Sequence, residues 1–364
     1  LDNALIPINK ILPNVESVHD RAVIEINRGC TRGCRFCQAG YIYRPVRERS
    51  AEKIINNVIK MVEKTGYEEV SLLSLSAMDH SCISEIVENL LPYSKKYRVS
   101  ISIPSTRVDA FNVEIASNIA SVRKTGITLA PEAGSQLMRN KINKNISFDD
   151  IYNSATSAKN AGWNRIKLYF MVGFPNEKED DIREIGELLR EIKKIKFKNI
   201  TASINLLVPK PHSVFQFAKL QSYDYTNYVS EVLKSFRKYA RIDVNDGKKS
   251  FIEGILSRGD RKIFEVLLRK FKKSYFDDWN EFFNFKDWIE TFSECGINIE
   301  EYLGPYSFSS DFPWDHIDSG VTKAFLWKEY QRYFNNENLL DCRWNGCTYC
   351  GVCQIYNVKN IVKK

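Results

Sequence analysis

The segment Arg28–Cys37, RGCTRGCRFC, places three cysteines in the spacing C-x3-C-x2-C. It follows the short apolar run Ala22–Ile26, which predicts a β-strand. Three thiolates on one tight loop can hold three irons of a cubane and leave the fourth iron open to another ligand. Gly29 and Gly33 favour such a loop, because glycine permits a positive φ and a close backbone approach to a bulky cluster. A zinc site is the alternative, and its fourth ligand would be His19.

Around this loop, short β-branched or apolar runs alternate with amphipathic helical patterns, which is typical of βα units around a parallel sheet. The predicted strands are Ala22 to Ile26, Val70 to Leu75, Val99 to Ile103, Gly126 to Leu129, Arg165 to Met171 and Ile200 to Leu207. The predicted helices are Ala51 to Lys64, Ser81 to Leu91, Asn112 to Ala120, Asp149 to Ala161 and Glu179 to Ile195. The pattern favours an α/β fold with a partial (β/α)6 TIM-like barrel, and a doubly wound sheet is the alternative. Either fold places the chemistry at the carboxyl ends of the strands.

The pattern changes beyond Pro211, where charged, aromatic-rich helices are predicted over Tyr228 to Tyr239, Arg261 to Phe271 and Phe282 to Phe292. We therefore predict a lead-in segment over residues 1–20, a core barrel over 21–220, a mainly helical region over 221–340 and a cysteine-rich tail over 341–364.

The tail carries a second cysteine group with the spacing C-x4-C-x2-C-x2-C, formed by Cys342, Cys347, Cys350 and Cys353. Its last three cysteines have the spacing of a bacterial ferredoxin run, which predicts a second 4Fe–4S cluster. Structural zinc is the alternative, because four thiolates also suit that ion.

Cysteine number, apolar runs and net charge indicate which class of protein this chain belongs to. An odd number of cysteines, nine, fits poorly with a complete set of disulfides and favours a reducing, cytoplasmic compartment. The apolar runs are too short to span a bilayer, so no membrane partner is expected. The net charge of +8 permits an anionic partner such as RNA. The first residue is Leu, with no signal-like segment, so we expect a chain that begins inside a longer parent.

The cysteine loop, with Phe36 before its last cysteine, resembles that of the radical S-adenosylmethionine (SAM) superfamily. This resemblance implies a 4Fe–4S cluster on Cys30, Cys34 and Cys37, whose open iron binds the amino and carboxylate groups of SAM. It further implies one-electron cleavage of SAM to methionine and a 5′-deoxyadenosyl radical, with flavodoxin or ferredoxin as electron donor.

The resemblance also implies cofactor contacts at the strand ends. In the family, a polar stretch after the second strand contacts the methionine moiety, and here Ser74–Asp79, SLSAMD, replaces its common Gly-Gly-Glu form. The stretch Ala130–Ser135, APEAGS, resembles an element of methylthiotransferase-like members, and Gly173–Pro175 resembles the Gly-Phe-Pro that passes the adenine. The implied cofactor-binding residues are Phe36, Ser74, Ser76, Ser105, Arg107, Glu132, Arg139 and Gly173.

At finer grain the chain resembles a subgroup of uncharacterised bacterial radical SAM proteins that usually carry a cobalamin-binding-type domain ahead of the barrel. The phrases that carry this resemblance are Val18–Arg21, Arg28–Gly40, Tyr43–Ser50, Pro209–His212, Ser257–Arg261 and Pro313–Asp318. The expected function is a radical SAM enzyme acting on an unidentified substrate, for which RNA or a ribosome-linked target is the suggested class. Methyl or methylthio transfer is the first alternative, and a non-enzymatic metal-cluster protein that binds nucleic acid is the second.

Overall fold

The computed structural model describes residues 1–15, 17–103, 108, 115, 126–273, 276–277 and 279–363. Of the predicted features, Ser105, Arg107 and nearly all of the helix Asn112 to Ala120 lie outside the described residues.

Two parallel sheets form the framework of the described chain. The first has the strand order β1-β4-β5 and the second the order β6-β7-β8-β9, while β2 and β3 form a small antiparallel ribbon. The strands are β1 Ala22–Glu25, β2 Asn27–Arg28, β3 Arg47–Glu48, β4 Glu69–Leu73, β5 Ser100–Ser102, β6 Ile127–Glu132, β7 Arg165–Val172, β8 Asn199–Leu206 and β9 Arg241–Val244.

Helices follow the strands and cover the sheets. In the described chain they are α1 Ala39–Ile42, α2 Ala51–Thr65, α3 Ile83–Tyr97, α4 Gln136–Lys141, α5 Phe148–Asn160, α6 Glu179–Lys193, α7 Tyr225–Val232, α8 Gly247–Arg258, α9 Ile263–Lys273, α10 Phe285–Glu294, α11 Lys323–Phe334 and α12 Val352–Ile355. None of these helices is both long and apolar enough to cross a bilayer.

The core follows from the periodicity of these elements. Alternate residues of β1, such as Ala22 and Ile24, are fully buried, and they pack with the apolar face of α2 that includes Ile54. The second sheet packs in the same way with α5 and α6. A further cluster joins Tyr41, Phe174 and Phe215 to Tyr333 of α11 and to Cys350 of the tail. Helix α11 and the tail therefore pack with the loops that follow the strands.

The predicted α/β class, a partial barrel followed by helices and a cysteine-rich tail, is confirmed, with one correction. The segment predicted as the helix Tyr228 to Tyr239 contains α7 and a short 3-10 helix, and the chain then adds β9 to the second sheet. Because β9 pairs in parallel with β8, the sheet extends beyond the predicted boundary at residue 220. The RIDV sequence of β9 is short and only Ile242 in it is buried, so its apolar pattern is weak.

Candidate active site

The three cysteines of the first group lie on the loop between β2 and α1, at the carboxyl end of β1. The backbone N–H of Gly40 donates to Cys37 Sγ at 3.3 Å, and Cys37 N donates to Cys34 O at 3.1 Å. Burial, followed by the negative charge of Cys34 and Cys30, raises the pKa of Cys37 to about 12. The thiols are thus close enough to influence one another, and metal binding would have to displace the Cys37 proton.

Contacts of Asn143 with Arg32 and Leu339 hold this loop in place, and we call them the clamp. Asn143 Nδ2 donates to Arg32 O at 2.9 Å and to Leu339 O at 3.1 Å, while its Oδ1 accepts from Leu339 N at 2.9 Å. Gly33 has a φ of 72°, and a Cβ there would lie 2.7 Å from Leu339 Cδ2. Tyr41 Oη donates to Gly33 O at 3.2 Å. The loop is therefore held in one conformation by packing, and this preorganisation suits a bulky cluster.

The loop after β4 contacts the cysteine loop through an ion pair between Asp79 and Arg32. Asp79 accepts a hydrogen bond from Arg32 Nε at 2.9 Å and another from Ser76 Oγ at 2.7 Å. The Arg32 guanidinium, followed by the Ser76 hydroxyl and Arg343, lowers the pKa of Asp79, although burial opposes this shift. Ser74 Oγ accepts from Ser76 N at 3.0 Å. Both serines thus shape a loop beside the cysteines, and their assignment as cofactor contacts stays a prediction.

The end of β6 places Glu132 near the cysteine loop. Glu132 has a φ of 70°, a conformation that residues with a Cβ seldom adopt. Its carboxylate accepts from Lys144 Nζ at 3.1 Å, and both side chains are mostly buried. The positive charge of Lys144 is near enough to Cys37 to act on its pKa. Non-glycine residues held in this backbone region are common at ligand sites, so Glu132 remains a candidate for cofactor binding.

Arg139 is buried and bonded to the backbone around it. Its guanidinium donates to Ile146 O at 3.0 Å, to Ala133 O at 3.3 Å and to Gly134 O, and its Nη2 donates to Gln136 Oε1 at 3.0 Å. Burial lowers the pKa of Arg139 to about 10. Arg139 thus supports the turn that follows Glu132, and its assignment as a cofactor contact stays a prediction.

The loop after β7 is built around Gly173. Its φ is 89°, and a Cβ there would lie 2.9 Å from Leu206 Cδ1, so only glycine fits. Glu177 Oε2 accepts from Gly173 N at 2.5 Å and from Tyr225 Oη at 2.8 Å. Burial raises the pKa of Glu177 to about 7, although both hydrogen bonds act in the opposite direction. Phe174 is fully buried in the core and Gly173 is buried beside it, so the assignment of Gly173 as a cofactor contact stays a prediction.

The second cysteine group folds back against the first. Thr31 Oγ1 donates to Asp341 Oδ1 at 2.5 Å, and Arg343 pairs with both Asp341 and Asp79. The tail is also hydrogen-bonded to β3 through Ile361, whose carbonyl accepts from Glu48 N at 2.9 Å.

Amide donors surround the tail sulfurs. Gln354 Nε2 donates to Cys347 Sγ at 3.3 Å, and Asn360 Nδ2 donates to Cys342 Sγ at 3.6 Å. Burial raises the pKa of Cys353, and so does the charge of Cys350, Cys342 and Cys347.

A single-ion site has no support. In the described ranges, no three His, Cys, Asp or Glu side chains are grouped so that they could hold one metal ion. His19 is exposed and contacts Arg21 at 2.9 Å. A cubane spreads its thiolates over several irons, whereas zinc needs all of its ligands around one ion, and the choice between the two metals at the tail stays a prediction.

The predicted residues and the missed ones meet at the same edge of the fold. Cys30, Cys34, Cys37, Ser76, Glu132 and Gly173 all follow strands whose carboxyl ends face this edge. Phe36 is half-buried and packs with the cluster that includes Tyr41. Sequence reasoning missed Asn143, Lys144 and Glu177. Only the turn-prone KINKN of residues 141–145 offered a signal.

The chain is similar in sequence to several known proteins. An uncharacterised protein of Methanocaldococcus jannaschii is 33% identical over 247 residues, which are 67% of this chain and 53% of that protein. The ribosomal protein uS12 methylthiotransferase RimO of Desulfotalea psychrophila is 27% identical over 182 residues, 47% of this chain and 40% of that protein. A tRNA-2-methylthio-N(6)-dimethylallyladenosine synthase of Clostridium tetani is 26% identical over 181 residues, with the same shares. The chain spans about half the length of such curated relatives, 53% and 40% in the first two.

A solved structure and a family model resemble the chain. The structure is coproporphyrinogen III oxidase from Escherichia coli, a radical SAM enzyme, with a TM-score of 0.41 at 11% identity over 59% of this chain and 52% of that one. The model of the Radical SAM superfamily matches residues 24–189, which contain the first cysteine loop and the strand ends that surround it. Residues 24–189 of this chain therefore form a domain of the Radical SAM superfamily.

Proposed function

We propose that this chain cleaves SAM reductively at a 4Fe–4S cluster held by Cys30, Cys34 and Cys37. The observation that carries the proposal is the loop of three neighbouring thiols, clamped at the strand ends within the segment that matches the superfamily. When bound, the cluster and SAM would supply one electron and a 5′-deoxyadenosyl radical for hydrogen abstraction.

The chain's own residues have supporting tasks in this proposal. Lys144 and Glu132 place one positive and one negative group beside the cysteine loop, which complements a zwitterionic amino acid moiety. Gly173 gives the end of β7 a backbone conformation that residues with a Cβ seldom adopt, and it carries no side chain toward the cofactor. The clamp by Asn143 keeps the loop rigid while the cluster changes charge.

The tail cysteines are proposed to hold a second 4Fe–4S cluster. The mutual influence of the four thiols and the amide donors to Cys347 and Cys342 support this, because hydrogen bonds to sulfur are a common feature of iron–sulfur sites. All nine cysteines are free thiols, which agrees with the reducing, cytoplasmic compartment that we propose for the protein. A one-electron donor such as flavodoxin or ferredoxin is the proposed redox partner.

Anaerobic reconstitution tests the central proposal. With dithionite and SAM, the wild-type chain should form 5′-deoxyadenosine, and Cys34→Ala should form none. Cys295→Ala is the matched control, because Cys295 belongs to neither cysteine group, and its product should equal that of the wild type. No 5′-deoxyadenosine from wild-type protein with verified clusters would overturn the proposal.

Methyl or methylthio transfer to RNA or to a ribosomal protein is the second candidate. It is favoured by the relatives named as methylthiotransferases and by the net charge of +8, which suits an anionic target. Incubation with labelled SAM and total RNA or ribosomes would show label transfer if this candidate is right. Label that stays in small molecules under conditions that form 5′-deoxyadenosine would argue for another substrate.

A further inference from the structure

Arg44 lies between the two cysteine groups. The residue is 6% exposed, and its guanidinium carbon is 4.8 Å from the ring centre of Tyr41 and 5.8 Å from that of Phe325. Two aromatic faces therefore hold the cation away from water and restrict it to one orientation.

One side of Arg44 is bonded to the first cysteine loop. Its Nε donates to Gly40 O at 3.0 Å, and the N–H of Gly40 donates to Cys37 Sγ at 3.3 Å. The Cys37 sulfur and the Arg44 guanidinium are thus linked by two hydrogen bonds, both of which are made by the backbone of Gly40.

The terminal nitrogens of Arg44 lie on its other side, toward the tail cysteines. The terminal nitrogens of Arg44 are buried, and in the described chain no acceptor meets them in hydrogen-bonding geometry. A buried cation without an anion is unfavourable. Cys350 is buried in the same apolar cluster as Tyr41 and Phe325, whose rings lie against the guanidinium. Burial opposes the charged form of Arg44, yet Tyr41 and the thiols of Cys350 and Cys342 raise its pKa. As thiolates, the two cysteines would provide the missing negative charge.

We infer that Arg44 is the buried counter-charge of the tail metal centre and couples that centre to the first cysteine loop. The inference rests on the proposed function, since it takes the tail cysteines to hold a 4Fe–4S cluster. Such a cluster gains one negative charge when one electron from the donor reduces it. A fixed positive charge in a low-dielectric site stabilises the reduced form more than the oxidised form, and so it raises the reduction potential.

The test isolates the tail cluster. A Cys30→Ala, Cys34→Ala, Cys37→Ala chain is reconstituted with iron and sulfide, and its remaining cluster is titrated potentiometrically with detection by EPR. Arg44→Gln removes the charge and Arg44→Lys keeps it. Arg47→Gln is the matched control, because Arg47 donates to the carbonyls of Pro45 and Tyr43 at 3.1 and 2.9 Å.

At the midpoint potential of the parent chain, Arg44→Gln should lower the ratio of reduced to oxidised cluster about tenfold, equivalent to about 59 mV for a one-electron couple. Arg44→Lys and Arg47→Gln should stay near the parent value. An unchanged ratio in Arg44→Gln with an intact tail cluster would overturn the inference.

Loss of the cluster is informative as well. Arg44→Gln could lose the tail iron while its circular dichroism is unchanged. In that case Arg44→Lys should retain the iron. Loss of iron in both variants would overturn the inference. A parent tail that binds zinc or no metal would overturn both the inference and the proposed second cluster. The two failures are thus distinguishable.

Discussion

Arg35 and Glu329 form an ion pair at 3.1 Å in which both side chains are fully buried, although 294 residues separate them in the chain. Arg35 also donates to Lys141 O and Glu337 O, each at 2.6 Å. The pair thereby joins the first cysteine loop to helix α11. Because every donor contact of this guanidinium reaches a different segment, the conformation of the cysteine loop depends on residues far beyond the barrel.

Removal of one partner should be strongly destabilising. Glu329→Gln leaves the buried Arg35 without its anion, and we expect the free energy of unfolding to fall by about 3–5 kcal/mol. Denaturant unfolding of the anaerobic protein measures this change. Glu231→Gln, in an exposed pair with Lys234, is the control and should shift stability by about 0.5 kcal/mol or less. Equal effects of the two variants would show that the buried pair does not hold the loop.

Asn143→Ala should reduce iron binding at the first site. The change leaves the buried carbonyls of Arg32 and Leu339 and the N–H of Leu339 without partners, at a cost of about 1–3 kcal/mol for each lost group. We expect a lower iron content after reconstitution of a chain whose tail cysteines are replaced by Ala. The control is Asn336→Ala, because Asn336 is exposed and has the same φ of 56° as Asn143. If both variants bind iron equally well, the clamp has no role in cluster binding.

The sequence predicts the strands and the loops at their carboxyl ends because these depend on local patterns. The apolar run Ala22–Ile26 and the spacing of Cys30, Cys34 and Cys37 are both read within a dozen residues. The residues that pair with an arginine cannot be predicted in this way, because a contact such as that of Arg35 with Glu329 has no local sequence pattern. Arg139 is an example: its sequence position fits a cofactor contact, and only the fold shows the carbonyls at its donors.

Glu177 should make stability depend on pH. The pKa of Glu177 in the folded chain is about 7, above the ordinary value, so the folded state binds an extra proton between these two pKa values. Its contribution is fully present below the ordinary pKa and is lost as the pH rises through about 7. We expect a loss of about 2 kcal/mol between about pH 5 and 8 in the wild type.

Glu177→Gln should abolish this part of the pH dependence, because the amide oxygen can still accept from Gly173 and Tyr225 but cannot ionise. Unfolding by urea at several pH values measures the difference between variant and wild type. Glu231→Gln, at an exposed carboxyl, should leave the wild-type profile unchanged. A parallel profile for Glu177→Gln and the wild type would mean that Glu177 titrates as an ordinary carboxyl.

Glu132 and Arg139 should have different roles, the first in binding and the second in stability, although they lie only seven residues apart at the end of β6 and in α4. Glu132→Gln removes the charge that faces Lys144 beside the cysteine loop, and we expect the dissociation constant of SAM to rise about tenfold, or about 1.4 kcal/mol. Arg139→Met leaves three buried carbonyls without donors, so it should lower the free energy of unfolding by about 3 kcal/mol and leave SAM affinity near the wild-type value. Equilibrium dialysis with reconstituted protein gives the affinity, and denaturant unfolding gives the stability. A large loss of SAM affinity in folded Arg139→Met would place Arg139 in the cofactor site, because no contact with backbone carbonyls explains such a loss.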